Sequence, residues 1–201
     1  MTTSVTTLKG ATLREPSFIT ALLNDKRASV IWLVLRLWLG WQWLESGWEK
    51  FTSPAWMQGG EALKGFWSRV VLVPAEGRPP IAFDWYRTFL QSMLDAQAYT
   101  WFAKLIVFGE LLVGISLIIG LFVGAAAFFG GFMNWNFIMA GSASVNGMFL
   151  IVSVALILAW KVAGYIGVDY FLLPRAAFWS DEKEKETAMP LPRVGERAAA
   201  D

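Results

Sequence analysis

The side chains in this sequence that could do chemistry are two carboxylates, Glu45 and Glu110, two amides, Asn134 and Asn136, the guanidinium of Arg36 and the indoles of Trp43 and Trp135. All lie in apolar surroundings. Glu110 is the one ionised residue in the run from 108 to 141, FGELLVGISLIIGLFVGAAAFFGGFMNWNFIMAG. Polar groups at membrane depth are costly, so they turn toward a bundle interior or a wet cavity. A carboxylate held there can accept a proton, and Glu45, nearer the boundary, could do the same. A quinone ring needs flat aromatic walls and one or two hydrogen-bond donors, which Trp43, Trp135 and Asn134 provide. The candidate catalytic residues are therefore Glu110 and Glu45, and the candidate cofactor-binding residues are Asn134, Asn136, Trp43, Trp135 and Arg36. Each has a competing structural role. Glu110 could bond across helices to Asn134, Lys104 or an indole N–H, and Arg36 and Lys161 could snorkel to headgroups. Trp38, Trp41, Trp43 and Trp48 could simply anchor packing and interfaces.

These residues need helices to position them. Apolar runs beyond about 18 residues read as membrane spans, and the run after Phe108 has length for nearly two. The expected spans are 29–48, 102–121, 123–140 and 148–168, with a turn, GSASVNG, before the last. Glycines at 114, 120, 124, 130 and 131 leave room for helices to approach, and Gly120 with Gly124 has small-xxx-small spacing. Between the first two spans, residues 51–100 carry Pro54, Pro74, Pro79 and Pro80 and read as a folded insertion. Within it Leu63, Phe66, Trp67, Val70 and Val71 recur at helical spacing. So do Tyr86, Phe89, Leu90, Met93 and Leu94, after a cap at Asp84.

The fold expected is an all-α integral membrane protein: a four-transmembrane-helix bundle with short amphipathic helices in an extracytoplasmic insertion. Residues 1–28 form an N-terminal tail without a signal peptide, 29–175 the membrane domain and 176–201 a disordered charged tail. Basic flanks at both ends put both termini in the cytoplasm of a multi-pass cell-membrane protein. A rise of 1.5 Å per residue places Glu45, Glu110, Asn134 and Asn136 roughly 6 to 13 Å below the outer boundary, converging in the outer half of the bundle. Arg36 and Lys161 fall in the inner half, with Asp169 close to the inner boundary.

Composition sets limits on function. With 56% hydrophobic residues, 12 Trp and a mean hydropathy of +0.47, the 201-residue chain is too apolar for an ordinary soluble domain. A net charge of +1 argues against nucleic acid as a partner. With no Cys and no His, disulfides, thiol chemistry and the commonest haem and zinc ligands are excluded. Any redox chemistry needs a diffusible cofactor or a second subunit.

The segments RLWLGWQWLESGWEKF (36–51), GELLVGISLIIGLF (109–122), MNWNFIMAGSASVN (133–146) and LAWKVAGYIGVDYFLLP (158–174) resemble the DoxX family, including DoxD-like proteins. The resemblance implies a four-helix membrane protein. In its DoxD branch it implies the membrane subunit of a thiosulfate:quinone oxidoreductase, working with a second subunit. It also implies that Arg36, Glu45, Lys50, Glu110 and Asp169 occupy the family's polar positions. The function expected is a quinone-binding, proton-relaying subunit in contact with membrane lipid and a larger complex. The alternative is a non-catalytic scaffold of a respiratory or photosynthetic complex, and a small-solute carrier ranks last because no broken-helix inverted repeat is visible.

Overall fold

The computed structural model describes residues 16–173 and two short strands, β1 (Val5–Thr6) and β2 (Thr12–Leu13), paired antiparallel with Val5 opposite Leu13. Between residues 16 and 173 the regular structure is helical. Helix α1 (Ser17–Asn24) is followed by a 3-10 turn at Lys26–Ala28, where the Asp25 carboxylate accepts the Arg27 N–H at 2.9 Å. Then come α2 (Ser29–Thr52), α3 (Pro54–Met57), α4 (Glu61–Val70), α5 (Asp84–Asp95), α6 (Tyr99–Ile119), α7 (Val123–Met139), α8 (Asn146–Leu158), α9 (Trp160–Ala163) and α10 (Asp169–Leu172). The expected charged tail at 176–201 lies outside the described residues.

Helices α2, α6, α7 and α8 pack in a closed ring, with α2 on α6, α6 on α7, α7 on α8 and α8 back on α2. The α2–α6 seam is built from glycine. A Cβ on Gly114 would come within 2.7 Å of the Leu44 backbone nitrogen and 3.0 Å of the Gly40 carbonyl, so the two backbones touch. The core of the ring includes Trp32, Leu39, Trp43, Val113, Leu117, Ala127 and Leu156. Its outer surface is apolar too: Val34 and Trp41 on α2, Leu112 on α6, Phe128 and Phe132 on α7 and Ile151 on α8 are all exposed. A soluble protein would bury such a belt, whereas a bilayer solvates it. Among the described residues, α6 alone is both long and apolar enough to cross a membrane by length and hydropathy. Helix α2 is longer but carries Arg36, Glu45, Glu49 and Lys50, and α7 has 17 residues.

Three expectations about local structure need correction. The span expected at 148–168 is not one helix: α8 stops at Leu158, and α9 ends at Ala163 before a turn through Gly164 and Gly167. The Gly120/Gly124 spacing is no packing motif, because α6 ends at Ile119 and α7 begins at Val123, leaving Gly120 as a left-handed C-cap at φ 73°. Asp84 does not cap α5, whose cap position is Phe83; its carboxylate takes the Arg87 guanidinium at 2.7 Å instead.

The insertion folds over one end of the ring with a core of its own. Leu63, Trp67 and Val70 from α4 and Tyr86 and Leu90 from α5 pack with Ile81 onto Tyr99, Ala103 and Ile106 of α6 and Met139 of α7. The two amphipathic helices read from spacing are thus present. Gly60, at φ 73°, marks the tightest approach, since a Cβ there would overlap the Tyr99 carbonyl.

The α2–α6 contact leads to a paired prediction. In detergent, Gly114→Ala should lower the thermal midpoint through a loss of about 1–3 kcal/mol from overpacking. Gly65→Ala, where a Cβ would meet nothing within 4 Å, should leave the midpoint unchanged or raise it slightly.

Candidate functional site

Polar side chains gather at three levels of the ring, and the sequence-derived candidates are divided among them. At the insertion end, the Lys50 ammonium on α2 donates to Glu110 Oε2 at 2.8 Å and Oε1 at 3.1 Å on α6, and to the Ser46 hydroxyl one turn back at 2.5 Å. The ammonium also lies 5.4 Å from the centre of the Trp56 ring. The Glu110 side chain is fully buried and that of Lys50 is 20% exposed. A buried charge must be paired, and this pair retains one route to water through the lysine. Glu110 therefore bonds to none of the partners expected for it, and Lys104 is exposed. Lys50 was missed as the partner because its position at the helix end reads as a boundary charge. The Ser46–Lys50 spacing of one turn was the available signal.

In the middle of the ring, Asn134 is buried with neither its amide nitrogen nor its oxygen bonded. The Trp43 indole N–H and the Ser153 hydroxyl are likewise buried without a partner. All three bear on one stretch of α7. A Cβ on Gly130 would lie 3.1 Å from Trp43 Nε1, one on Gly131 would lie 3.2 Å from Ser153 Cβ, and Asn134 follows one turn later. This level adjoins that of the ion pair, because Gly109, beside Glu110, faces the Met133 sulfur next to Asn134, 3.3 Å from where a Cβ would stand. Ser153 was missed as well, although it is the lone hydroxyl in the apolar run from 148 to 160.

The remaining candidates are turned elsewhere. Glu45 is exposed on the outward stripe it shares with Trp41 and Trp48, so the expected convergence of Glu45 with Glu110 and Asn134 does not occur. Trp135 points outward at 52% exposure, so it is no wall of an interior site. Asn136 belongs to the insertion contact: the Tyr86 hydroxyl donates to its carbonyl at 3.1 Å and to its side-chain oxygen at 3.2 Å. Burial pushes the Tyr86 phenol up, which keeps it a donor.

At the opposite end, Arg36 is buried and serves the backbone. Its Nη1 donates to the Ala163 carbonyl at 2.9 Å and its Nη2 to that of Ile166 at 2.7 Å, in the stretch where the fourth helix breaks. The Asp169 carboxylate accepts the Phe122 and Val123 N–H groups at 2.6 and 2.8 Å, which caps the start of α7. Phe122 sits at φ 46°, an uncommon conformation for a bulky residue, and the Asp169 bond holds it there. Arg36 thus does not snorkel, and its fork is already occupied by carbonyls rather than left for a cofactor.

A model of the DoxX family matches residues 31–141, more than half of the chain. The chain belongs to the DoxX family. No curated protein and no solved structure matches it. DoxX membership makes this a membrane protein, in agreement with the apolar helix α6. The matched region holds the Lys50–Glu110 pair, Trp43 and Asn134, while Ser153 and Asp169 lie beyond it.

The ion pair gives a testable asymmetry. Lys50→Met strands a buried carboxylate in this DoxX protein and should cost about 3–5 kcal/mol of stability in detergent unfolding. Adding Glu110→Gln to Lys50→Met should recover most of that loss. Equal losses in the single and double variants would show that the pair is not coupled.

Proposed function

We propose that this DoxX protein is the membrane subunit of a quinone-linked oxidoreductase, of the DoxD-like thiosulfate:quinone kind, with its quinone site at Trp43 and Asn134. The observation that carries the reading is the orphaned polar set: an amide and an indole N–H buried in a protein interior without partners, where such groups ordinarily cost about 1–3 kcal/mol each. Natural sequences tolerate that cost most readily at functional sites. The donor set fits a quinone, since Trp43 Nε1 and Asn134 Nδ2 can both donate to a carbonyl oxygen and Asn134 Oδ1 can accept from a hydroxyl. A bound quinone supplies two-electron, two-proton acceptor chemistry. The chain supplies orientation through the indole and amide, apolar walls that exclude water, and a proton station at Glu110. Lys50, one-fifth exposed, links that carboxylate to the water outside. Electrons come from a donor subunit.

In this reading all four ring helices cross the bilayer, with both termini in the cytoplasm and the insertion outside. The contact of α1 with α9 and the bond from Trp32 Nε1 to the Leu22 carbonyl support it, because they put the two ends of the described helical region at one end of the ring. The absence of cysteine makes a direct test clean. Glu76→Cys, on the exposed loop of the insertion, should react with an impermeant maleimide on intact cells, and Lys26→Cys only after permeabilisation.

Quinone binding can be tested with a photoreactive quinone added to the purified chain in nanodiscs, followed by peptide mapping. Label should fall on segments containing Trp43 or Asn134 and be displaced by unlabelled quinone. Asn134→Leu should weaken the competition about tenfold, from the loss of a buried hydrogen-bonding group. Asn136→Leu, at the Tyr86 contact, should leave it unchanged. Undisplaced label, or equal effects from the two variants, defeats the assignment. If stoichiometric partner subunits then copurify with full turnover in Asn134→Leu, the protein is a scaffold.

A further inference from the structure

At the end of the ring away from the insertion, a cleft of about 560 Å³ opens between α9 and α10, lined by Lys161, Tyr165, Asp169, Tyr170 and Phe171 among others. Its size falls within the roughly 300 to 1,000 Å³ of ligand sites. Lys161 is exposed and has no carboxylate within ion-pairing distance among the described residues; its ammonium lies 5.8 Å from the Trp160 ring centre. The acid in the lining adds little negative charge to the cleft, because the Asp169 carboxylate is buried, bonded to the Phe122 and Val123 N–H groups and close enough to Arg36 to act on its charge. Tyr165 and Tyr170 are partly exposed and stacked edge to face with ring centres 5.2 Å apart, and Phe171 is exposed beside them. Aromatics with polar tips beside a cation are the residues found at the headgroup level of a bilayer.

A second observation points from this cleft into the hydrocarbon. Ile151, Val154 and Leu158 are 71%, 47% and 63% exposed and stand at positions i, i+3 and i+7 of α8, and Lys161 comes three residues later. Ile151, Val154 and Leu158 thus form an apolar stripe on α8, and Lys161 follows on α9 after the turn residue Ala159. A rise of 1.5 Å per residue puts the charge at most about 15 Å from the start of the stripe. One leaflet of a roughly 30 Å hydrocarbon core has that same depth.

We propose that this is a binding site for an anionic glycerophospholipid: the phosphate lies against Lys161 and the tyrosine hydroxyls, and one acyl chain runs along Ile151, Val154 and Leu158. The site needs α8 to lie in the bilayer and is independent of any quinone at Trp43 and Asn134. Its effect is to hold the broken end of the fourth helix at the headgroup boundary, where the lipid supplies negative charge opposite a cation that has no ion-pair partner among the described residues.

The experiment is native mass spectrometry of the full chain released from nanodiscs of equal phosphatidylglycerol and phosphatidylcholine. Phosphatidylglycerol adducts should be retained over phosphatidylcholine. Lys161→Ala should reduce that preference about fivefold, the loss expected for one basic residue at a membrane surface. Lys161→Arg should keep it. Val154→Asn, which spoils the apolar stripe and leaves the charge, should shorten retention of both lipids. Excess inorganic phosphate should not displace the adduct. Equal retention of the two lipids, or a Lys161→Ala protein that behaves like the parent, overturns the proposal. Displacement by inorganic phosphate together with no effect of Val154→Asn also overturns it, leaving a site for free phosphate.

Discussion

A guanidinium sealed inside an apolar bundle must find acceptors there, and the acceptors it finds in this protein are the carbonyls of Ala163 and Ile166. Much of the architecture at that end follows from this. Carbonyls can be offered to Arg36 only where a helix stops using them itself, and Ala163 and Ile166 lie at and just beyond the end of α9, where the chain turns through Gly164 and Gly167. The turn brings Asp169 back to the start of α7, where its carboxylate takes two N–H groups that have no partner within the helix. One cation and one anion thus join α2, the α6–α7 connection and the chain after α9. Gly120 is part of the same arrangement, because a side chain there would run into the Arg36 guanidinium.

The other end of the ring uses charge differently. Lys50 and Glu110 satisfy each other directly across the α2–α6 seam, which the glycines at 40, 47 and 114 bring to backbone contact. The insertion then covers this end with its own apolar core, leaving the lysine as the partly exposed member of the pair. One end is closed by side chain to backbone, the other by side chain to side chain. Between them the Trp43 indole N–H, the Asn134 amide and the Ser153 hydroxyl are buried without partners where α2, α7 and α8 pack closely. Arg36 Nε at the far end is also buried without a partner, but Asn134 is the one side chain among them with a donor atom and a separate acceptor atom both left unused.

The outward apolar surface of the ring completes the balance. Exposed Val, Leu, Ile, Phe and Trp on all four ring helices would be an aggregation hazard in water and are the expected solvent contact in hydrocarbon. Helix α2 shows why composition alone undervalues such a helix. Its tryptophans and its paired charges lower its apparent apolarity, yet Arg36 is buried against backbone and Lys50 against Glu110, while Trp41 and Trp48 face outward.

The predominantly helical fold, the starts of the long helices, the insertion with two amphipathic helices and the burial of Glu110 and Asn134 could all be read from the order of residues. Those features depend on local periodicity and on the cost of polarity in apolar runs, and both are written along the chain. Which polar groups meet depends instead on helix phase and register, which no single segment carries. A rotation of α2 by a fraction of a turn separates the outward Glu45 from the inward Lys50, and only the packing of Gly47 and Gly40 against α6 fixes that rotation. The pairing of Lys50 with Glu110, the use of Arg36 on carbonyls more than 120 residues away and the break after Leu158 were therefore decided by tertiary contact, because each is a bond between segments whose relative orientation is set by everything packed between them.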